Sequence, residues 1–298
     1  MRENWGASPA KVFSPMSDLN PSQFVTTQIL RIASSDPSRT ALVAQDGKWS
    51  FGDLASEMLL ISAQLGDLLG SKNELIGLIP GRSADSIAAL LGIMHSGRPC
   101  LLIDSRWPAP RVMASLAEQR CSVVWDGGFI DHNDEVNEQP ASVPLGCLSY
   151  VLYTSGSTGS PKAVAVPEPA LAHYVAAATH YLALTPDDTV AWQSTLSFDA
   201  AFEEILPALT VGASVAIVAD ESFDPDEMML RCKLLGVTVL PLPAGVINSF
   251  PSQIWQGIDQ TRLRLVVSGG SALLRESGSA VGLVDSSCLG FSGRVSGL

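Results

Sequence analysis

Cysteine is sparse here and never clustered. The five, Cys100, Cys121, Cys147, Cys232 and Cys288, are odd in number and contain no CxxC pair. That excludes a disulfide framework and a Cys-based zinc site, and points to a reduced, cytoplasmic protein. Cationic residues are also few, 18 Lys and Arg against 30 Asp and Glu, for a formal charge of -12. Nucleic acid and anionic membrane surfaces both require clustered basic side chains, so neither is expected as a partner. The four histidines, His95, His132, His173 and His180, share no spacing suited to a metal site or a catalytic dyad, and no metal ligand is expected. No apolar run approaches the roughly 18 residues of a membrane span, and the N-terminal MRENWGASPAKVF lacks an apolar signal core.

What is present is an apolar chain with room for a core. At 298 residues and 46% hydrophobic content, it can bury one large or two smaller domains. Residues 1–21 carry no periodicity and read as a loose arm; Gln23 to Ala33 reads as a short helix. Ala41 to Val43 and Lys48 to Ser50 flank Asp46-Gly47, a tight-turn signal for a hairpin. Ser50 and Asp53 then form a capping box ahead of apolar residues at Leu54, Met58, Ile61, Leu65 and Leu68.

From there strands and helices alternate. Strands are expected at Leu75–Ile79, Cys100–Ile103, Ser122–Trp125 and Leu148–Tyr153, with helices at Asp85–His95 and Pro108–Gln119. The segment Gly127 to Pro144 reads as an acidic surface loop. After a return strand at Ala163–Val166 and a helix from about Ala170 to Tyr181, the rhythm continues: strands at Val190–Gln193, Ser214–Val218, Val237–Leu240 and Leu263–Val267, and helices at Ser197–Thr210, Pro225–Leu235 and Ala244–Phe250. This is the pattern of a doubly wound α/β fold with mostly parallel sheets. Beyond residue 274 the chain is rich in Gly and Ser without period, and 275–298 reads as an atypical tail.

The chemical centre is Thr154 to Lys162, TSGSTGSPK, emptying out of the apolar strand before it. Thr154, Ser155, Ser157 and Thr158 offer hydroxyls, Gly156 and Gly159 permit close backbone approach, and Lys162 supplies a point charge. Together they suit phosphate oxygens. A Walker loop is excluded because Pro161 precedes Lys162 where that motif requires Gly-Lys-Ser/Thr. A flexible Ser/Gly linker is the plain alternative, but a linker would not hang from an apolar strand and close on Pro-Lys.

This loop closely resembles the phosphate loop of the AMP-forming adenylating enzymes: acyl-CoA synthetases, luciferases and the adenylation domains of nonribosomal peptide synthetases. Trp49 to Leu54 is similar to an early motif of that superfamily. Gly97, Leu101–Ile103, Asp104 and Trp107-Pro108-Ala109-Pro110-Arg111 resemble a segment of the peptide-synthetase members. The resemblance runs over residues 22–274, an AMP-binding large subdomain. It implies activation of a carboxylate, an amino acid here, by ATP with Mg²⁺, and transfer to a thiol on a phosphopantetheine carrier protein or on CoA. Thr158 and Lys162 would then be catalytic, within a nucleotide loop of Thr154 to Gly159 and Lys162.

SFDAAFEEI, Ser197 to Ile205, looks like the motif whose Asp pairs with the substrate ammonium in amino-acid-activating members, a role that maps to Asp199. Read from the residues alone, Asp199 is a first-turn carboxylate stabilised by about 0.3–1 kcal/mol through the helix dipole. The resemblance places a substrate pocket at Ala200, Glu203, Val266 and Ser268. Glu203 there suggests a cationic side chain such as lysine or ornithine, whereas a solvated helix Glu is the plain alternative.

The chain also departs from the superfamily. Ala163 stands where Gly is usual, Glu168 where His is common, and Ser271 where many members have Glu. The later Asn-x-Tyr-Gly-Pro-Thr-Glu motif, the ribose-holding Asp and the distal Lys do not follow Ala272. The resemblance is therefore to a truncated large subdomain, and three readings stay open: a working ligase, a non-catalytic nucleotide-binding fragment or pseudoenzyme, and an incomplete gene product.

Overall fold

The structure, a computed structural model, describes residues 24–69, 74–131, 148–154, 161–218, 224–251, 254, 261–269 and 282–285. The loose arm, most of the tail and residues 155–160 of the phosphate loop lie outside them. The chain begins with helix α1 (Phe24–Ser35), the antiparallel pair β1 (Thr40–Ala44) and β2 (Gly47–Ser50), and helix α2 (Phe51–Leu68). The hairpin and the capping box are both present: the Ser50 hydroxyl accepts from Asp53 N–H, and the Asp53 carboxylate accepts from Ser50 N–H at 2.9 Å. Leu68, expected on the buried stripe, is instead exposed at the last position of α2, where the partly buried Leu69 packs against the core in its place.

One sheet is then built from β3 (Ile76–Leu78), β4 (Cys100–Leu102), β5 (Val123–Trp125), β6 (Phe129–Asp131), β7 (Leu148–Thr154) and β8 (Lys162–Pro167), with α3 (Ala84–His95) and α4 (Ala109–Gln119) between strands. Its order is β6-β5-β3-β4-β7-β8. Strand β6 corrects the expected surface loop at its start. Gly127, at φ +76°, turns the chain so that Phe129 to Asp131 pair antiparallel with β5.

The second sheet takes β9 (Thr189–Trp192), β10 (Ser214–Ile217), β11 (Val239–Pro243), β12 (Leu265–Gly269) and β13 (Gly282–Asp285), joined to β1 and β2 in the order β13-β12-β11-β9-β10-β1-β2. Helices α5 (Glu168–Tyr181), α6 (Ala200–Val211), α7 (Pro225–Leu235) and α8 (Ala244–Ser249) connect this half. Strand β13 lies in the stretch read from sequence as aperiodic tail. Its backbone pairs parallel with β12 from Leu265↔Gly282 to Ser268↔Asp285, a long-range pairing that local periodicity could not reveal.

Side chains alternate across both sheets, and the apolar clusters therefore form layers. Between the sheets, Leu78, Leu102, Tyr150 and Leu152 meet Val190, Trp192, Val215 and Val267 through α1, α2, α3, α5 and α6. On the far face of the second sheet, Ala191, Ala216, Leu240 and Val266 pack under α7 and α8. On the far face of the first, Leu101, Val124 and Val151 pack under α4. The result is five layers, helix-sheet-helix-sheet-helix.

The amino ends of the second sheet are tied by one ion pair. The Asp188 carboxylate accepts from Arg264 Nε at 2.7 Å and Nη2 at 2.8 Å, from the Thr238 hydroxyl at 2.7 Å and from Thr185 N–H at 2.9 Å. Burial alone would push Asp188 up, but these donors and the Arg264 charge hold it well below the usual carboxylate range. The candidate site lies at the opposite, carboxyl ends.

Candidate functional site

In open parallel sheets, ligands bind outside the carboxyl ends of the strands where consecutive connections depart to opposite faces. In the second sheet that point falls between β9 and β11. From β9 the chain enters α6, which packs between the sheets; from β11 it enters α8, which packs on the far face. The two connections diverge, and the β9–α6 loop carrying Phe198 and Asp199 stands at the crevice between them.

Asp199 occupies the N-cap position of α6, yet its side chain makes no capping hydrogen bond and is exposed. Its carboxylate is not used to hold the helix. One turn on, Glu203 turns inward rather than out to water. Its Oε1 is sealed from solvent and has no hydrogen-bond partner. Burial raises its pKa, a hydrogen bond from the Tyr174 hydroxyl lowers it, and the Asp199 charge raises it further. A solvated surface Glu would show none of this.

Tyr174 of α5 and Tyr150 of β7 complete the group. Both are buried, and both hydroxyls are pushed upward, first by burial and then by the neighbouring carboxylates: Asp199 for Tyr150, and Glu203 and Asp199 for Tyr174. The Tyr150 ring stacks on Phe202 of α6, centroids 4.1 Å apart, an arrangement that contributes about 0.5–1.5 kcal/mol beyond the area it buries. Its hydroxyl, sealed from solvent, has no partner. Two carboxylates and two phenols thus meet where α6 crosses β7.

The same strand leads to the loop expected to hold phosphate. Thr154 lies four residues beyond Tyr150, about 13 Å along an extended strand. Thr154 pairs with Lys162 across the β7–β8 hairpin, and its hydroxyl donates to the Lys162 carbonyl at 3.4 Å. The intervening TSGSTGSPK loop is therefore rooted at both ends, with Lys162 exposed beside it. Ser155, Gly156, Ser157, Thr158 and Gly159 lie outside the described residues. The root is braced from the side: the Trp107 ring meets Tyr153 edge-on at 5.6 Å, and the Arg111 guanidinium sits 3.7 Å over Trp107.

The remaining expected residues are distributed differently. Ala200 is exposed at the first turn of α6, beside Asp199. Val266 packs with Leu240, Ile247 and Phe250 on the far face of the sheet, whereas Phe202 and Ile205 of α6 belong to the layer between the sheets. Ser268, two residues on with the same strand parity, is also buried. Val266 and Ser268 are thus not on the sheet face that α6 covers. Glu168, where the resemblance expected His, is buried at the start of α5, and burial lifts it to about 7.

Sequence reasoning missed Glu204 and Gln193. Glu204 is buried, and its carboxylate accepts from Gln193 N–H, Ser194 N–H and the Ser194 hydroxyl at 2.9, 2.9 and 2.7 Å. Burial lifts it to about 7 despite those donors. Gln193 Nε2 donates to the Pro241 carbonyl, tying β9 to β11 across the crevice. A signal existed: Glu204 lies three residues after Ala201 and four before Ala208, inside the apolar stripe of α6.

A family described as "AMP-binding enzyme" matches residues 30–281. Among curated proteins, the chain is 27% identical over 266 residues to bacitracin synthase 3 of Bacillus licheniformis, covering 82% of this chain and 4% of that protein. It is 31% identical over 228 residues to the isonitrile lipopeptide synthase of Streptomyces coeruleorubidus, covering 69% of this chain and 16% of that one. The chain thus spans a small part of the relatives it matches. Among solved structures, the nonribosomal peptide synthetase FmoA3 (S1046A) in its AMPPNP-bound form superposes with a TM-score of 0.72 at 22% identity, covering 89% of this chain and 31% of that one. VinN in complex with L-aspartate gives 0.69 at 18% identity, covering 85% and 70%. The layered fold and the family match over residues 30–281 lead to one conclusion: this chain belongs to the AMP-binding enzyme family.

Proposed function

We propose that this chain holds ATP and an amino acid and activates the amino acid as an aminoacyl-AMP, as the substrate-holding part of a nonribosomal-peptide-synthetase-like ligase. A carboxylate oxygen attacks the α-phosphorus, the bond to the β-phosphate oxygen breaks, and pyrophosphate leaves. Such displacements are accelerated mainly by positioning and by charge stabilisation. Ser155, Ser157, Thr158 and Lys162 would grip the β- and γ-phosphates, with Thr154 at the root and Gly156 and Gly159 allowing close approach. Among the described residues, no group of three or more His, Cys, Asp or Glu side chains could hold a metal ion. Mg²⁺ would bridge the nucleotide phosphates. The thiol acceptor would be a phosphopantetheine carrier protein or CoA.

The observation that carries the amino-acid reading is the exposed Asp199 carboxylate, uncommitted to capping and placed at the switch point where the substrate ammonium can reach it. Glu203 refines it. A sealed carboxylate oxygen with no donor, next to a second carboxylate, suits a second cation, so the substrate is a basic amino acid of the lysine or ornithine type. Ala200 would form the near wall, with Val266 and Ser268 backing the crevice from the far face.

The test is calorimetric ATP binding together with amino-acid-dependent ATP–pyrophosphate exchange. Lys162→Ala is expected to weaken ATP binding by about 10-fold or more, the loss of one charge-assisted phosphate contact. Absence of saturable ATP binding by the unsubstituted chain overturns the function. Binding without exchange reduces it to nucleotide holding. Glu203→Gln should lower the preference for lysine or ornithine over leucine by about 10-fold; an unchanged ratio rules out the basic substrate.

A further inference from the structure

Between Trp192 and Asp199 the chain has no helix or strand to hold it; the later part closes a turn in which Phe198 N–H donates to the Thr195 carbonyl at 3.0 Å. Three contacts fix its start. Glu204 takes both backbone N–H groups at its start and the Ser194 hydroxyl. The Trp192 indole N–H donates to the Ser194 carbonyl at 2.7 Å. Gln193 reaches across to the Pro241 carbonyl. A buried carboxylate is costly to keep away from water, and an apolar residue would serve the interior of α6 as well. What the carboxylate alone supplies is a joint between the loop and the helix that carry the two ends of the site.

We propose that Glu204 is a positioning residue for the acid-substrate site: it locks the β9–α6 loop onto α6, and so sets Asp199 at the β9/β11 crevice. It touches no substrate. The phosphate loop hangs from β7 and β8 in the other sheet, so loss of the lock should separate amino-acid binding from nucleotide binding. This rests on the amino-acid reading of Asp199 given above.

The experiment measures ATP affinity and the affinities of the twenty protein amino acids and ornithine, in the presence of ATP, for the unsubstituted chain, Glu204→Ala, Glu204→Gln and Ser194→Ala. Glu204→Ala is expected to weaken the best amino acid by about 10- to 100-fold, the effect of a misplacement on the order of 1 Å, with ATP affinity within about 2-fold. Glu204→Gln should stay within about 3-fold of the parent. Its amide oxygen can accept both N–H bonds and its NH₂ can donate to Ser194 Oγ. Ser194→Ala, which removes one of the three bonds, should fall between them. Trp192 emission, read against the same variants carrying Trp192→Phe, should shift in Glu204→Ala and not in Glu204→Gln.

Equal loss of ATP and amino-acid binding, or no loss of either, overturns the positioning role. Should Glu204→Ala not fold, unchanged amino-acid affinity in Ser194→Ala overturns it instead. If the unsubstituted chain binds ATP but no amino acid, the substrate reading of Asp199 is what fails, and Trp192 emission alone then decides whether Glu204 locks the loop.

Discussion

Asp199→Ala is expected to weaken amino-acid binding by at least about 30-fold while leaving ATP affinity within about 2-fold. Truncating one partner of a hydrogen-bonded charge pair costs about 2–5 kcal/mol, much of it because the other charge is left unpaired in a partly desolvated site. Here the stranded charge would be the substrate ammonium, next to buried Tyr150 and Tyr174. Stability should change little, because the Asp199 side chain caps nothing and is exposed. Calorimetric titration of the amino acid and of ATP, paired with a thermal melt, checks all three statements. A melting temperature lowered as far as affinity falls would make Asp199 a structural residue; equal losses for both ligands would place it in the nucleotide site.

The second large effect is on folding. Gly92 of α3 lies against α2 so closely that a Cβ there would stand 2.6 Å from Ile61 Cγ2, 2.7 Å from Ile61 Cβ and 3.0 Å from the Met58 carbonyl oxygen. Neither residue can yield cheaply. Ile61 is 4% exposed and Met58 0%, both inside the layer between the sheets, so the obstruction includes backbone and branched carbon. Overpacking typically costs about 1–3 kcal/mol and sometimes more, against a total stability on the order of 5–15 kcal/mol. Gly92→Val should therefore lower the denaturant midpoint sharply or give insoluble protein. Ile61→Ala in the Gly92→Ala background should recover only the part of that variant's loss owed to Ile61 Cγ2, because the alanine Cβ and the Met58 carbonyl oxygen stay where they are. A midpoint for Gly92→Val within error of the parent would show that the helices part without cost.

Gly92 also shows why sequence reading has a boundary. A glycine in an apolar-periodic helix scores only as a weak helix former. That it marks the closest approach of two helices depends on which turn of α2 faces it, and Ile61 lies 31 positions away. The same limit explains β13. Its residues follow no clear alternation, and it is a strand because β12 offers a parallel edge. Glu203 and Glu204 are adjacent in sequence and both acidic, yet one aims at the Asp199 crevice and the other ties down a loop. Helical phase separates them by about 100°.

By itself the sequence determined what depends on local order: the β1–β2 hairpin from Asp46-Gly47, the capping box from Ser50 and Asp53, the strand–helix alternation, and the apolar strand that ends at Thr154 with a return strand after it. Each is written within a few residues, where turn chemistry and side-chain period act directly. Only the tertiary structure decided what depends on packing across the chain. It placed the switch point between β9 and β11, turned the half-buried Glu203 toward Tyr174, and turned Val266 to the opposite face from α6. It also gave Glu204 the loop to hold. Those outcomes follow from which faces the two sheets bury together, and burial, unlike local propensity, is a property of the whole layer.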